Sequence, residues 1–81
     1  MIKPLLARRA GERVVIGAVE GSASRIDRLA ALGILPGVEL RIRQTRPVVV
    51  VEADETVLAF DRDVAGDVLT VEAEAPGRPA R

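Results

Sequence analysis

The chain has 81 residues, with twelve basic and twelve acidic side chains, one aromatic residue, and neither cysteine nor histidine. This length allows one small domain with an aliphatic core, and the missing residue types exclude disulfides, thiolate nucleophiles, sulfur-ligated metal sites and the usual general base of enzymes. The balanced charge provides no overall attraction to nucleic acid or to an anionic membrane. No segment approaches the ~20 apolar residues of a membrane span, and the amino terminus lacks a signal-peptide core, so we expect a cytoplasmic protein.

The first half of the chain predicts a strand followed by a helix. After a lead-in that makes one turn, apolar side chains alternate over Arg13–Glu20, as in a strand with one buried face, and Gly17 marks a bend or a close approach of another backbone. A helix is predicted over Arg25–Leu32, because its apolar residues recur at helical spacing. Ser24, with Asp27 three residues later, is the predicted N-terminal cap.

The residues after this helix predict a sharp corner. Gly33 can adopt the left-handed conformation that ends a helix, and Ile34 then folds back onto Leu29 in a Schellman-type cap. Pro36 and Gly37 are the residue types that a type II turn prefers at its two central positions. We therefore assign Gly33, Pro36 and Gly37 as structural turn residues, and expect the chain to reverse direction here.

The second half of the chain predicts four more strands. They span Val38–Arg43, Val48–Val51, Thr56–Phe60 and Leu69–Glu72. A turn at Asp54-Glu55 links the middle pair, and a helical turn over Arg62–Asp67, capped by Asp61, precedes the last strand. Five short strands, one short helix between the first two, and no helix–strand alternation predict a mainly β fold, a small antiparallel barrel. We expect residues 1–72 to form this domain and residues 73–81 a flexible tail.

One residue of the corner is not explained by cap or turn chemistry. Leu35 is expected to be exposed on a rigid turn beside Arg28, where it can anchor a partner helix or peptide. A purely structural corner is the favoured interpretation of the segment as a whole. The partner-binding hypothesis therefore depends on Arg28 and Leu35 alone.

Charged residues elsewhere suggest weaker alternatives. An acidic set can offer oxygen ligands to a hard divalent cation such as iron or manganese, although a solvated surface is favoured because no spacing resembles an EF-hand. Its members are Glu52, Asp54, Glu55, Asp61, Asp63 and Asp67. Solvation is also favoured over nucleic-acid binding for Arg41 and Arg43, since stacking aromatics are missing.

Two kinds of peptide binding differ in plausibility. Proline-rich ligands need a groove lined with aromatic rings, and this chain has only Phe60, so that mode is disfavoured. Addition of a strand to an open sheet edge remains an alternative. The strand Val48–Val51 is the expected edge, and it can pair with a partner or with a second copy to give a homo-oligomer.

The ordered part of the chain resembles the FeoA family. The resemblance rests on an Arg-Leu-x-x-Leu-Gly-Ile-x-Pro-Gly segment at residues 28–37, a preceding valine–isoleucine strand, a proline before the valine strand, and a Leu-Ala pair at residues 58–59. It covers about Pro4 to Glu72 and is most specific at residues 28–37. It implies a five-stranded barrel of the Src-homology-3 (SH3) type, also found at the C-terminus of iron-dependent repressors.

The same resemblance implies a function. FeoA proteins are small cytoplasmic proteins associated with the FeoB ferrous-iron transporter, so it implies a non-catalytic accessory role in ferrous-iron uptake, reaching the membrane only through that transporter. The alternative is a stand-alone metal-responsive regulatory module related to the repressor domain. An enzyme is disfavoured independently, because histidine, cysteine and any phosphate-cradling glycine motif are missing. The chain departs from the family pattern at Asp61, where a basic residue often follows the Leu-Ala pair.

Overall fold

A computed structural model describes residues 1–73 and shows six strands and two short helices. In chain order they are β1 Lys3–Pro4, β2 Arg13–Val19, α1 Ala23–Ala31, β3 Glu39–Gln44, β4 Val49–Ala53, β5 Thr56–Phe60, α2 Arg62–Ala65 and β6 Val68–Glu72, with a single 3₁₀ turn at Leu5–Ala7. The predicted flexible tail, apart from Ala73, lies outside the described residues.

All strand pairs are antiparallel and form one sheet in the order β1-β6-β2-β3-β4-β5. The expected mainly β class is confirmed, with α1 between the first two long strands and α2 before the last. The sheet has one more strand than predicted, because Lys3 and Pro4 pair with Thr70 and Leu69. Two residues are too short for an alternating pattern, so β1 could not be seen in the sequence.

The core consists of aliphatic side chains from every part of the sheet together with residues around α1. The fully or almost fully buried apolar residues are Leu5, Val14, Ile16, Leu29, Ile34, Leu40, Ile42, Val49, Val51, Ala65 and Val68. On β2, β3 and β4 these are alternate residues, as the period of a half-buried strand requires. Gly17 lies at a register shift between β2 and β6, a local irregularity of the kind that bends a strand.

Helix α1 begins earlier than predicted. Ser22 is its N-cap, and the Ser22 hydroxyl oxygen accepts a hydrogen bond from the Arg25 backbone N–H at 3.1 Å. The predicted cap was wrong, because Ser24 lies within the first turn of the helix. Serine therefore occurs at two positions where a cap is plausible, and only the first has the extended backbone that a cap requires.

The strand Val48–Val51 is not a sheet edge. The equivalent strand β4 pairs with β3 on one side and with β5 on the other, so its backbone groups are not available to another chain. The expectation of an exposed edge there was wrong because the Asp54-Glu55 turn folds β5 back onto it. The hairpin itself is confirmed, and Asp54 has a φ of +55° in its turn. Within residues 1–73, the two edges of the sheet are β1 and β5.

Helix α2 is shorter than expected and lacks a side-chain cap. It ends at Ala65, whereas the predicted helical turn extended to Asp67. Asp61 does occupy the N-cap position, but its carboxylate accepts no capping hydrogen bond, and the Asp61 backbone carbonyl accepts from the Ala65 N–H at 3.0 Å. Packing of the buried Ala65 therefore holds this turn in place.

Candidate functional site

The end of α1 is locked by backbone hydrogen bonds. Gly33 has a φ of +94°, its N–H donates to the Ala30 carbonyl at 2.9 Å, and the Ile34 N–H donates to the Leu29 carbonyl at 2.9 Å. These two bonds define a Schellman motif and confirm the predicted cap. Ile34 is buried, so the chain leaves the helix in a fixed direction.

The turn that follows is tied to the sheet. The Val38 N–H donates to the Leu35 carbonyl at 3.2 Å, and Gly37 has a φ of +92°, as a type II turn requires at that position. The Gly37 N–H also donates to the Ile16 carbonyl of β2 at 2.7 Å. The corner is therefore held rigidly between the helix end and β2.

Large apolar side chains project from this rigid frame. Leu35 is 44% exposed and Leu32 is 54% exposed. Arg28 is also exposed, and it precedes Leu32 by four residues, a spacing that makes two side chains neighbours on a helix surface. We call Arg28, Leu32 and Leu35 the corner surface. Leu32 was missed in the sequence, although its spacing from Arg28 was the signal that could have revealed it.

Of the two arginines near the corner surface, Arg25 forms an ion pair and Arg28 does not, within residues 1–73. The Arg25 guanidinium lies 2.5 Å from the Asp67 carboxylate, a contact that joins α1 to the turn after α2. Within residues 1–73, no carboxylate lies within 4.0 Å of the Arg28 guanidinium. Arg28 thus presents a positive charge one helical turn before the half-exposed Leu32, and Leu35 follows three residues after Leu32.

The acidic set does not converge on one place. Asp67 pairs with Arg25 of α1, and Glu52 of β4 lies 3.0 Å from the guanidinium of Arg43 on β3. Among the residues that the structure describes, no three acidic side chains come close enough to hold a metal ion. The oxygen ligands noted in the sequence are therefore dispersed over the surface.

A second polar region lies on the exposed side of β2, β3 and β4. Two shallow depressions of about 340 and about 280 Å³ share Arg41 and Glu52 in their linings. Arg13 pairs with Glu39 and Arg43 pairs with Glu52, so the arginines of this side are largely offset by carboxylates. This arrangement gives charge of both signs rather than the basic stripe of a nucleic-acid interface.

A buried arginine ties the first residues of the chain to the last strand. The Arg8 side chain is 1% exposed; its guanidinium donates to the Thr70 hydroxyl and carbonyl, both at 2.9 Å, and lies 3.0 Å from the Glu72 carboxylate. Hydrogen bonds from the N-terminal ammonium of Met1, the larger cause, and from Arg8 lower the pKa of Glu72 from 4.5 to about 2. Sequence reasoning missed this cluster, because Arg8 and Glu72 are 64 residues apart.

The match to a family model decides which family this fold represents. The model of the FeoA domain matches residues 3–76. The chain belongs to the FeoA family. Membership supports an iron-related accessory or regulatory role for this FeoA domain. A comparison with curated protein sequences finds no match.

Solved structures share this SH3-like fold at low sequence identity. An iron uptake regulatory protein (FeoA) has a TM-score of 0.83 at 19% identity, covering 90% of this chain and 100% of that one. The FeoA protein from Chlorobium tepidum has a TM-score of 0.77 at 23% identity, covering 96% and 78%. A manganese-dependent transcriptional repressor has a TM-score of 0.82 at 18% identity, covering 89% of this chain and 42% of its own length.

Two further observations concern the length of the matched proteins and the helices of this chain. The chain spans less than half of the length of the repressors that it matches, so it corresponds to one domain of those proteins. Within residues 1–73, no helix is long and apolar enough to cross a membrane.

Proposed function

We propose that this FeoA domain is a non-catalytic accessory protein that supports or regulates ferrous-iron uptake by contacting a FeoB-type transporter on its cytoplasmic side. Family membership supports the connection to iron. The observation that carries the proposal is the corner surface, where an exposed arginine on the last turn of α1, a half-exposed leucine at the end of the helix and a second one on the locked turn follow one another.

The corner surface has the physical properties of a protein contact. Burying a leucine fully contributes roughly 1.5–3 kcal/mol, so burying what remains exposed of Leu32 and Leu35 contributes about that amount in total. The Schellman cap and the tied turn fix the backbone before binding, which reduces the entropy lost on association. Arg28 adds a charge that selects an acidic partner surface.

The test is binding of the purified chain to a FeoB-type transporter in detergent, combined with iron uptake in cells with and without the chain. Leu35→Asp and Arg28→Glu should each weaken transporter binding by about tenfold or more, because one places a charge in an apolar contact and the other reverses the complementary charge. Iron uptake should change in the same variants.

A matched control uses an exposed apolar residue outside the corner surface. Ile2 is 66% exposed and lies next to β1, so Ile2→Asp should leave binding unchanged. Circular dichroism checks that each variant is folded. If Leu35→Asp and Arg28→Glu fold normally and bind the transporter as the parent does, the corner surface is not the contact.

A second candidate function is a metal-responsive regulatory module. Its support is the shared fold with manganese-dependent transcriptional repressors over 89% of this chain. Calorimetric titration with ferrous iron and manganese separates the two candidates. Tight metal binding without transporter binding favours the regulatory module, and transporter binding without metal binding favours the accessory role.

A further inference from the structure

Strand β5 is an open edge of the sheet. Thr56–Phe60 pairs with β4 on one side, and within residues 1–73 no strand pairs with its other side. Alternate N–H and C=O groups of an antiparallel edge strand point away from its neighbour, where another strand can pair with them. Val57, in the middle of this edge, is 53% exposed.

The usual protections of an edge are missing from β5. Its five residues include no proline and no charge, and its ladder with β4 runs through five pairs without a bulge. The ladders between β2 and β6 and between β3 and β4 both contain register shifts. The opposite edge, β1, has only two residues, so β5 is the edge long enough to accept another strand.

Acidic residues bracket this edge at both ends. Residues 54–63 contain four carboxylates and one guanidinium, and that guanidinium, of Arg62, donates to the Thr45 carbonyl at 2.6 Å. Asp54 and Glu55 precede β5, and Asp61 follows it directly. The edge is therefore an uncharged strand between two negative ends.

This charge pattern opposes pairing with a second copy. The antiparallel register that matches all five residues of β5 with themselves places Leu58 opposite Leu58. The same register places Glu55 opposite Asp61 at both ends of the paired strands. Only beyond them does it place Asp54 opposite Arg62, whose guanidinium is already held by the Thr45 carbonyl. Like charges directly opposite one another destabilise a strand pair, whereas opposite charges stabilise it.

We infer that β5 is a docking edge for an extended segment of another protein, with apolar or β-branched residues between lysines or arginines at both ends. Backbone hydrogen bonds to β5 provide the pairing, and the basic ends face Asp54 and Glu55 on one side and Asp61 on the other. This edge is separate in the chain from the corner surface, and the inference does not depend on the proposed transporter contact.

The test uses two synthetic peptides and the full ¹⁵N-labelled chain. The lysine-flanked peptide KKTVTVTKK should shift the backbone amide resonances of residues 56–60, and its affinity should fall as salt is raised. The glutamate-flanked peptide EETVTVTEE should bind at least about tenfold more weakly, because its ends repel the acidic residues.

Two variants test the mechanism independently. Val57→Pro introduces the pyrrolidine ring and removes the backbone N–H donor of residue 57 from the edge, so it should abolish peptide binding. The double variant Glu55→Lys, Asp61→Lys should reverse the preference in favour of EETVTVTEE, which also covers the case in which Val57→Pro fails to fold. Leu35→Asp should bind KKTVTVTKK as the parent does, which separates this edge from the corner surface.

Three results would overturn the inference. They are amide shifts confined to residues outside β5, equal affinity for both peptides, and no shifts with either peptide. Light scattering of the chain alone provides a separate check. A stable dimer that Val57→Pro dissociates would show that a second copy occupies the edge, and would also overturn the inference.

Discussion

At the scale of single residues, the corner depends on backbone conformation more than on space. A Cβ atom added at Gly33 would meet no heavy atom within 4 Å outside its chain neighbours, and the same holds at Gly37. Both residues nevertheless have a φ above +90°, a region that side chains with a Cβ rarely adopt. Glycine is therefore favoured at both positions by the backbone conformation, since the surroundings leave room for a Cβ atom.

We expect Gly33→Ala to destabilise the domain by about 1–2 kcal/mol, because the Cβ atom of alanine makes the left-handed backbone conformation sterically unfavourable. For a domain of this size, the melting temperature should fall by about 4–16 °C. Gly33→Asn is the matched control and should lose less, since asparagine tolerates this conformation better. Equal melting temperatures for the parent and Gly33→Ala would contradict the Schellman cap.

At the scale of elements, the start of α1 has the serine cap that the sequence predicts, but the cap is two residues earlier than predicted. Both Ser22 and Ser24 are cap-forming residues, but only Ser22 has the extended backbone of a cap, with φ −70° and ψ 155°. Its hydroxyl satisfies one of the N–H groups that every helix leaves unpaired at its first turn. A nine-residue helix has few other sources of stability at that end.

We expect Ser22→Ala to cost about 1 kcal/mol of stability through loss of this cap. Ser24→Ala should change the unfolding free energy by less than about 0.5 kcal/mol, because it replaces an exposed residue within the helix by a good helix former. Urea denaturation of the three proteins measures both values. The reverse order of the two costs would mean that Ser24 is the cap after all.

At the scale of the whole molecule, the Arg8 cluster joins distant parts of the chain. Arg8 is held by Thr70, and Glu72 contacts both Arg8 and the ammonium group of Met1. The pKa of Glu72 is about 2 in the folded protein and about 4.5 when these contacts are absent. The ionised form is thus favoured by folding, so its stabilisation is complete above pH 4.5 and is lost as the pH falls towards 2.

We expect the unfolding free energy of the parent to fall between pH 4.5 and pH 2 more steeply than that of Glu72→Gln. Acetylation of the Met1 amine removes the largest cause of the shift and should flatten the same part of the profile. Urea denaturation across this pH range measures all three. Superimposable slopes for the parent and Glu72→Gln would exclude the contribution of this carboxylate.

The features that were predictable from the sequence are those whose causes lie within a few residues. The cap at Gly33 and the turn at Pro36 and Gly37 follow from local backbone preferences, and the alternation of β2 and β3 follows from one-sided burial. The role of Arg8 was not predictable, because its partners in β6 are more than 60 residues away. The edge position of β5 depends in the same way on the order of all strands.

The place of β6 between β1 and β2 has a consequence for how the domain is made. This strand, at Val68–Glu72, pairs with both β1 and β2, so those two strands near the amino terminus gain this shared neighbour only after all the other strands of residues 1–73 have been synthesised. Until β6 leaves the ribosome, β2 has one unpaired side and the Arg8 guanidinium lacks Thr70. Such long-range pairing slows folding, and a nascent chain with an open strand is the state that aggregates or recruits chaperones.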